Sequence, residues 1–229
     1  MTETFALGAL MSIVCGLDRT AFLQLMISRP VVAGPLTGWL LGGPETGILV
    51  GALLELLWLG RLPMGAVIPP DDTQIAVGGT VLAVAAGGEF VAAGMAVTLL
   101  SVLLALPLGK VGARFDQWAR KANSRLSNLA IDEVKTGNTR RLEFLHLVGL
   151  VHFSLSSLAT FLVIIIGGWL LMVFLAPFLL SPLQEMQHWV FAVFPLVGMS
   201  HVLANMNVNR ALSLFGSSFL MTYVLLWLM

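Results

Sequence analysis

Two small clusters of polar residues interrupt otherwise apolar sequence, and both carry chemistry suited to a hydroxyl-rich ligand. Glu55 sits within Leu53-Leu54-Glu55-Leu56-Leu57-Trp58-Leu59. An ionised carboxylate at the centre of a membrane span costs roughly 2.5–3.5 kcal/mol on insertion scales. It must therefore face a cavity or a partner. One reading is a structural ion pair with Arg29 or Arg61. The other is a sugar or ion ligand, and a carboxylate suits a sugar because it accepts hydrogen bonds from two vicinal hydroxyls. Trp58, three residues on, shares roughly the same helix face. It offers either a stacking surface or ordinary packing.

The second cluster is Asp71-Asp72-Thr73-Gln74, directly after Pro69-Pro70. Proline fixes φ and removes a donor, so these residues are expected on a non-helical turn. They make either a polar ligand cluster or an exposed loop. Adjacent side chains rarely point the same way, so one aspartate is expected to reach a shared site. Gln24, ahead of Arg29-Pro30, is a weaker candidate ligand. Asp18-Arg19 reads as a self-paired break in the first apolar segment. Asp18, Arg19, Arg29 and Arg61 are thus candidates for structural ion pairing, and Glu55, Asp71, Asp72, Gln74 and Gln24 for substrate binding. Asn205, Asn207 and Asn209 alternate with Met206 and Val208, and line either a second polar break or an aqueous turn.

The sequence offers no catalytic residues. His146, His152, His188 and His201 lack metal-ligand spacing, so no metal and no cofactor are expected. There is no Walker loop, nucleophile elbow, zincin helix or dinucleotide fingerprint. An intramembrane enzyme using Glu55, Asp71 and Asp72 as acid and base would lack a recognisable nucleophile or metal ligand.

The elements that must position these residues are membrane segments. Of 229 residues, 58% are hydrophobic and 10% charged, against about 25% charged in soluble domains. The mean hydropathy is +0.93. The 23 glycines suit close packing of membrane helices. The length accommodates about five to eight crossings at ~20 residues each. Cys15 is the single cysteine, so no internal disulfide forms. The formal net charge is +0, and no global field draws the chain to nucleic acid. Met1-Thr2-Glu3-Thr4 lacks a basic start and no clear cleavage site follows, so the first apolar run is read as a membrane segment.

Charge is unevenly spread. Residues 110–141 carry eight Lys/Arg against Asp116, Asp132 and Glu133, a balance of +5, whereas the preceding 109 residues carry −4. The positive-inside rule places 110–141 in the cytoplasm. Val111, Phe115, Trp118, Ala122, Leu126 and Leu129 recur at helical spacing. They predict an amphipathic helix at the cytoplasmic surface, and also a docking face for a soluble partner.

Before that loop, the apolar pieces 5–17, 30–41, 46–60 and 73–88 are short and interrupted by Gly and Pro, and 90–109 is a full span. After it, 157–180, 182–204 and 211–229 are spans, separated by breaks at Ala176-Pro177, Ser181-Pro182 and Phe194-Pro195. Broken helices survive in a bilayer only within protein or beside an aqueous cavity, and short Gly/Pro-interrupted segments point to a transporter's binding site. The expected fold is an all-α, polytopic integral membrane protein, with broken or re-entrant helices in the N-terminal half and an amphipathic cytoplasmic helix. Three units follow: 1–109 with the candidate sugar site, 110–141 cytoplasmic, and 142–229 returning to the membrane.

A resemblance adds to this reading. Ser28-Arg29-Pro30-Val31-Val32-Ala33-Gly34-Pro35-Leu36-Thr37-Gly38, then Gly42, Thr46-Gly47-Ile48-Leu49-Val50-Gly51, Leu54-Glu55, Leu59-Gly60, Gly65-Ala66 and Pro70-Asp71 form an ordered set over about residues 24–75. The set resembles the N-terminal half of the phosphotransferase system IIC component of the mannose/fructose/sorbose family. The resemblance implies a sugar-translocating subunit in the bacterial inner (plasma) membrane, crossing it several times. It implies a IID membrane partner and a trimer of IIC–IID heterodimers, of elevator type. Soluble IIA and IIB subunits would relay phosphate from phosphoenolpyruvate, with phosphoryl transfer to the sugar made by IIB. Glu55 falls on the family's Leu-Glu pair and Asp71 on its Pro-Asp pair, near the sugar path. Pro63 stands where many members have a polar residue, and Arg61 replaces an apolar one, so sugar preference does not carry over. Two alternatives stay open: a facilitator working without phosphorylation, and a regulatory membrane scaffold.

Overall fold

A computed structural model describes residues 2–60, 70–89, 94–205 and 210–228. Among them every regular element is a helix. Arg61, Pro63, Gly65, Ala66, Asn207 and Asn209 lie outside the described residues.

Helix α1 (Thr2–Thr20) is followed by a short pair, α2 (Pro30–Leu40) and α3 (Pro44–Trp58). At 1.5 Å per residue the two reach about 16 and 22 Å, short of the ~30 Å hydrocarbon core. Each begins with proline at its first position, where the missing N–H has no intrahelical partner to lose. Gly42, with φ of 76°, makes the tight turn between them. The sequence reading treats Gly34-Pro35 as an interruption, yet α2 runs through it. Glycine is there for contact instead. A Cβ at Gly47 would lie 2.4 Å from the Gly34 carbonyl oxygen, and one at Gly38 would lie 2.6 Å from that of Gly43. The pair is a re-entrant hairpin closed backbone to backbone.

Helix α4 (Asp72–Gly87) is the buried centre. Ile75, Ala76, Val77, Val81, Leu82 and Ala86 have essentially no exposed surface. Its small residues admit neighbours on all sides: Gly78 lies under Ile164, and Gly79 beside Val50 and Ala105. Helix α5 (Met95–Leu108) continues through a 3₁₀ turn at Gly109–Val111 into α6 (Gly112–Thr136). Gly137, at φ of 71°, ends α6 in a left-handed cap, with Asn138 N–H returning to the Glu133 carbonyl, a Schellman-type closure.

Helix α6 is amphipathic as expected, but its buried stripe is rotated from the predicted one. Trp118 and Leu129 are exposed, and Ala119 is fully buried. The helix packs against the start of α7 (Thr139–Asn205) rather than lying alone, and Trp118 meets His152 of α7 edge-on. Asn123 fastens the two helices: its amide donates to the Gly149 carbonyl at 3.2 Å, and its oxygen meets His152 Nδ1 at 2.7 Å.

Helix α7 has 67 residues and contains Pro177, Pro182 and Pro195. The predicted breaks there are not gaps in the helix, but the course bends. Ser157 lies beside Gly16 and Gln74 at the start of α4, and Gly168 beside Leu82 further along. Met172 and Ala176 join a cluster with Ala86, at α4's far end. Gly198 then rests against Leu56 of α3, back at the first level, where Thr73 touches Ser28 and Arg29 meets Glu55. A straight helix would carry Gly198 about 33 Å past Ala176. The chain therefore folds back within 177–197, where prolines have removed ladder bonds. Helix α8 (Ala211–Leu228) closes the chain. By length and composition, Met95–Thr136 and Thr139–Ala204 hold the helices able to cross a membrane among the described residues.

Candidate functional site

The polar corner forms where three helix ends meet: the C-terminus of α1, the open end of the α2–α3 hairpin, and the N-terminus of α4. Asp71 caps α4, its Oδ1 accepting the Gln74 N–H at 3.1 Å. The helix dipole favours both aspartates there. Arg19 reaches this end from α1. One guanidinium nitrogen donates to Asp71 Oδ1, and the other lies 3.0 Å from Asp72 Oδ1 and 3.3 Å from the Pro70 carbonyl.

Two expectations are corrected here. Asp18 and Arg19 are not paired with each other, although α1 does end one residue after them, at Thr20. Arg19 serves partners about fifty residues on, and Asp18 the backbone of the adjoining α1–α2 loop. Nor does one aspartate alone reach the shared partner, because the planar guanidinium fork presents two donors that span Asp71 and Asp72 together.

Glu55 pairs with Arg29 through Oε1, and its Oε2 accepts the Val31 N–H at 3.3 Å. The carboxylate thus also sits at the N-terminal end of α2, among unpaired backbone donors. Of the two readings of Glu55, the ion pair with Arg29 is formed in this conformation. Trp58 is buried in the main core cluster and packs rather than facing a ligand. Gln24 is exposed in the α1–α2 loop and donates to the Thr20 carbonyl at 3.3 Å, outside this corner.

The two ion pairs are joined. Thr73 Oγ1 donates to the Ser28 carbonyl at 2.9 Å, and Ser28 adjoins Arg29. Behind them Gln74 is wholly buried, its amide donating to the Ser12 carbonyl at 2.9 Å. Gln74 Oε1 and Ser12 Oγ have no protein partner. The corner also abuts the start of α6: a Cβ at Gly112 would lie 2.7 Å from Asp71 Cβ. Arg29 and Asp72 keep about a third of their side-chain surface exposed. The arrangement supplies guanidinium donors and carboxylate acceptors side by side, the complement a sugar hydroxyl needs.

Sequence reasoning missed Ser12 and the use of Asp18 in the loop. The Asp18 carboxylate accepts the Leu25 N–H at 2.7 Å and the Ser28 N–H at 2.9 Å. An aspartate at a helix end before a short loop is the one available signal.

A helical, polytopic membrane protein with a re-entrant hairpin beside a polar corner is the class this fold defines. The model of the family "PTS system sorbose-specific iic component" matches residues 3–229, and the chain belongs to that family. It is 42% identical over 98 residues to the "Putative N-acetylgalactosamine permease IIC component 2" of Escherichia coli strain K12, covering 42% of this chain and 72% of that protein. It is 29% identical over 127 residues to the mannose-specific EIIC component of the same strain, covering 56% of this chain and 45% of that one. A sorbose-specific EIIC component of Lacticaseibacillus casei is 29% identical over 128 residues, 56% of this chain and 43% of that one. The chain thus matches less than half the length of the latter two.

Two solved structures share the fold at 21% identity. One is described as "Structure of membrane protein", with a TM-score of 0.65 over 98% of this chain and 96% of that one. The other is "CryoEM Structure of Mannose Transporter ManYZ and Microcin E492 (MceA) complex", with a TM-score of 0.61 over 98% and 95%. The chain is a IIC-type sugar permease subunit, integral to the membrane.

Proposed function

We propose that the chain carries a sugar across the bacterial inner membrane for a mannose-type, phosphoenolpyruvate-dependent phosphotransferase system. The observation that carries this is the joined corner of Arg19–Asp71–Asp72 and Arg29–Glu55 at the mouth of a glycine-closed hairpin, in a chain of this family. Asp72 and Arg29 retain exposed surface for a first contact. Asp71 and Glu55 would accept sugar hydroxyls on carboxylate lone pairs that their arginines leave unused. Gln74 offers an unpartnered acceptor behind them, and Gln24, exposed in the α1–α2 loop, would have to turn in from outside the corner to reach the sugar. The reading includes a IID membrane subunit, soluble IIA and IIB subunits, and a trimer of IIC–IID heterodimers. Phosphoryl transfer would fall to IIB. Residues 110–141 would face the cytoplasm, as their charge suggests, between membrane units 1–109 and 142–229.

The test is phosphoenolpyruvate-dependent uptake of labelled N-acetylgalactosamine, mannose, sorbose and fructose in cells with and without this gene, the IID, IIA and IIB subunits held constant. Accumulation of a sugar phosphate that vanishes on deletion establishes the role and names the sugar. Unphosphorylated sugar entering liposomes that hold the purified complex would replace it with the facilitator reading. Uptake of all four sugars unchanged by deletion would contradict it.

A further inference from the structure

We propose that Asp18 is a positioning residue for the sugar site: it clamps the α1–α2 loop so that Arg29 meets Glu55. This rests on the reading that the Arg29–Glu55 pair belongs to that site.

The loop is unfavourable by itself. Leu23, Gln24 and Met26 all have left-handed backbone, with φ of 62°, 54° and 63°. Residues with a Cβ adopt that region at a cost, and clusters of them persist only where the surroundings over-determine them. Apolar packing does not hold this loop. Phe22, Leu23, Leu25 and Met26 are 51–71% exposed.

The clamp is the Asp18 carboxylate, itself 5% exposed. Its two oxygens each take one loop N–H, from Leu25 and from Ser28. The Ser28 carbonyl is held from the other side by Thr73 of α4. The next residue, Arg29, is the N-cap of α2 and pairs with Glu55. One buried carboxylate thus sets where α2 begins and where the Arg29 guanidinium lies. Asparagine cannot replace it, since an amide has one acceptor oxygen and would turn its NH₂ toward the second N–H. The role is distinct from the ion pairing the sequence suggested.

The experiment uses the full membrane complex and whichever labelled panel sugar the wild type accumulates. Asp18→Asn should raise the half-saturating sugar concentration about tenfold or more with the complex assembled, while maximal uptake changes little. Leu23→Gly placed in Asp18→Asn should recover part of that loss, because glycine adopts left-handed φ freely. In a Glu55→Gln background, Asp18→Asn should add nearly nothing, as expected for residues acting through one contact. Unchanged half-saturation in an assembled Asp18→Asn complex would overturn the proposal. So would full additivity with Glu55→Gln. If Asp18→Asn fails to assemble, the Leu23→Gly double variant decides. Recovered assembly with half-saturation less than about tenfold above wild type supports the clamp. Continued failure to assemble, or half-saturation still about tenfold or more above wild type, overturns it. Failure of the site reading looks different: Glu55→Gln itself would then leave half-saturation unchanged.

Discussion

The N-terminal hairpin and the last quarter of the chain are built on opposite rules. In α2 and α3, glycine faces glycine and backbone touches backbone, leaving no room for a methyl group. From Pro177 onward, α7 and α8 carry large apolar side chains pointing outward: Phe178 is 75% exposed and Trp227 78%. Among the described residues of α7 beyond Ala176, Gly198 is the buried one. The first region specifies a shape and the second offers a surface. In lipid an exposed apolar side chain costs nothing, so burial cannot be the criterion of order there. Close contact and satisfied polar groups are. The polar corner sits on the tightly specified side, where a fixed backbone can hold charged groups in register.

Substitutions break this contrast to different degrees. The largest effect is expected for Gly47→Leu. Its Cβ would lie 2.4 Å from the Gly34 carbonyl oxygen and 2.9 Å from Gly38 Cα. Both neighbours are backbone and cannot turn aside, so the hairpin must separate, at several times the ~1–3 kcal/mol of ordinary overpacking. Uptake should vanish and the complex should fail to assemble on size exclusion.

Next in size is Asp71→Ala, which removes the cap of α4 and a partner of Arg19 together. Leaving a partly buried guanidinium short of its carboxylate costs on the order of 3 kcal/mol, and loss of a cap about 1. Thermal unfolding in detergent should come markedly earlier than for Asp71→Asn, which keeps a capping oxygen. Equal melting of the two would mean that the capping oxygen contributes little.

Phe178→Ala tests the opposite region. The side chain meets lipid or a partner subunit rather than the chain's own core. Melting of the subunit alone should shift little, within about 0.5 kcal/mol. A drop in co-purification of the membrane partner would identify a protein contact there. The smallest effect is expected for Asp132→Asn. Its pair with Lys135 has both side chains about 70% exposed, and such pairs contribute about 0–1 kcal/mol. Neither uptake nor melting should move measurably.

What was legible in the sequence follows the same divide. Charge asymmetry marks α6 because lipid forbids charge, a strong and local rule. Glu55 stands out for the same reason, and Arg29 was among its candidate partners. Asp18 and Arg19 misled because neighbours in sequence invite pairing. Arg19's actual partner depends on where α4 arrives, 52 residues on at Asp71, and Asp18's on how the α1–α2 loop turns back. The left-handed loop was invisible, since Leu23, Gln24 and Met26 are not residues that advertise positive φ. Gly34-Pro35 looked like a break because glycine and proline mark both turns and tight helix contacts. Only the facing Gly47 and Gly51 separate the two. Along α6, Phe115, Ala122 and Leu126 of the predicted stripe are half-buried. Hydropathy ranks Trp118 above Ala119, although Trp118 meets His152 of α7 edge-on from an exposed position and Ala119 is the buried one.

The most direct test of the corner as the sugar site is phosphoenolpyruvate-dependent uptake by Glu55→Gln and Asp71→Asn, with assembly confirmed for each. Both changes nearly conserve shape and remove a charge from one of the two joined ion pairs. Sugar-phosphate accumulation should fall at least tenfold in each, with the complex intact. Wild-type accumulation in both variants would contradict the assignment and move the site elsewhere in the molecule.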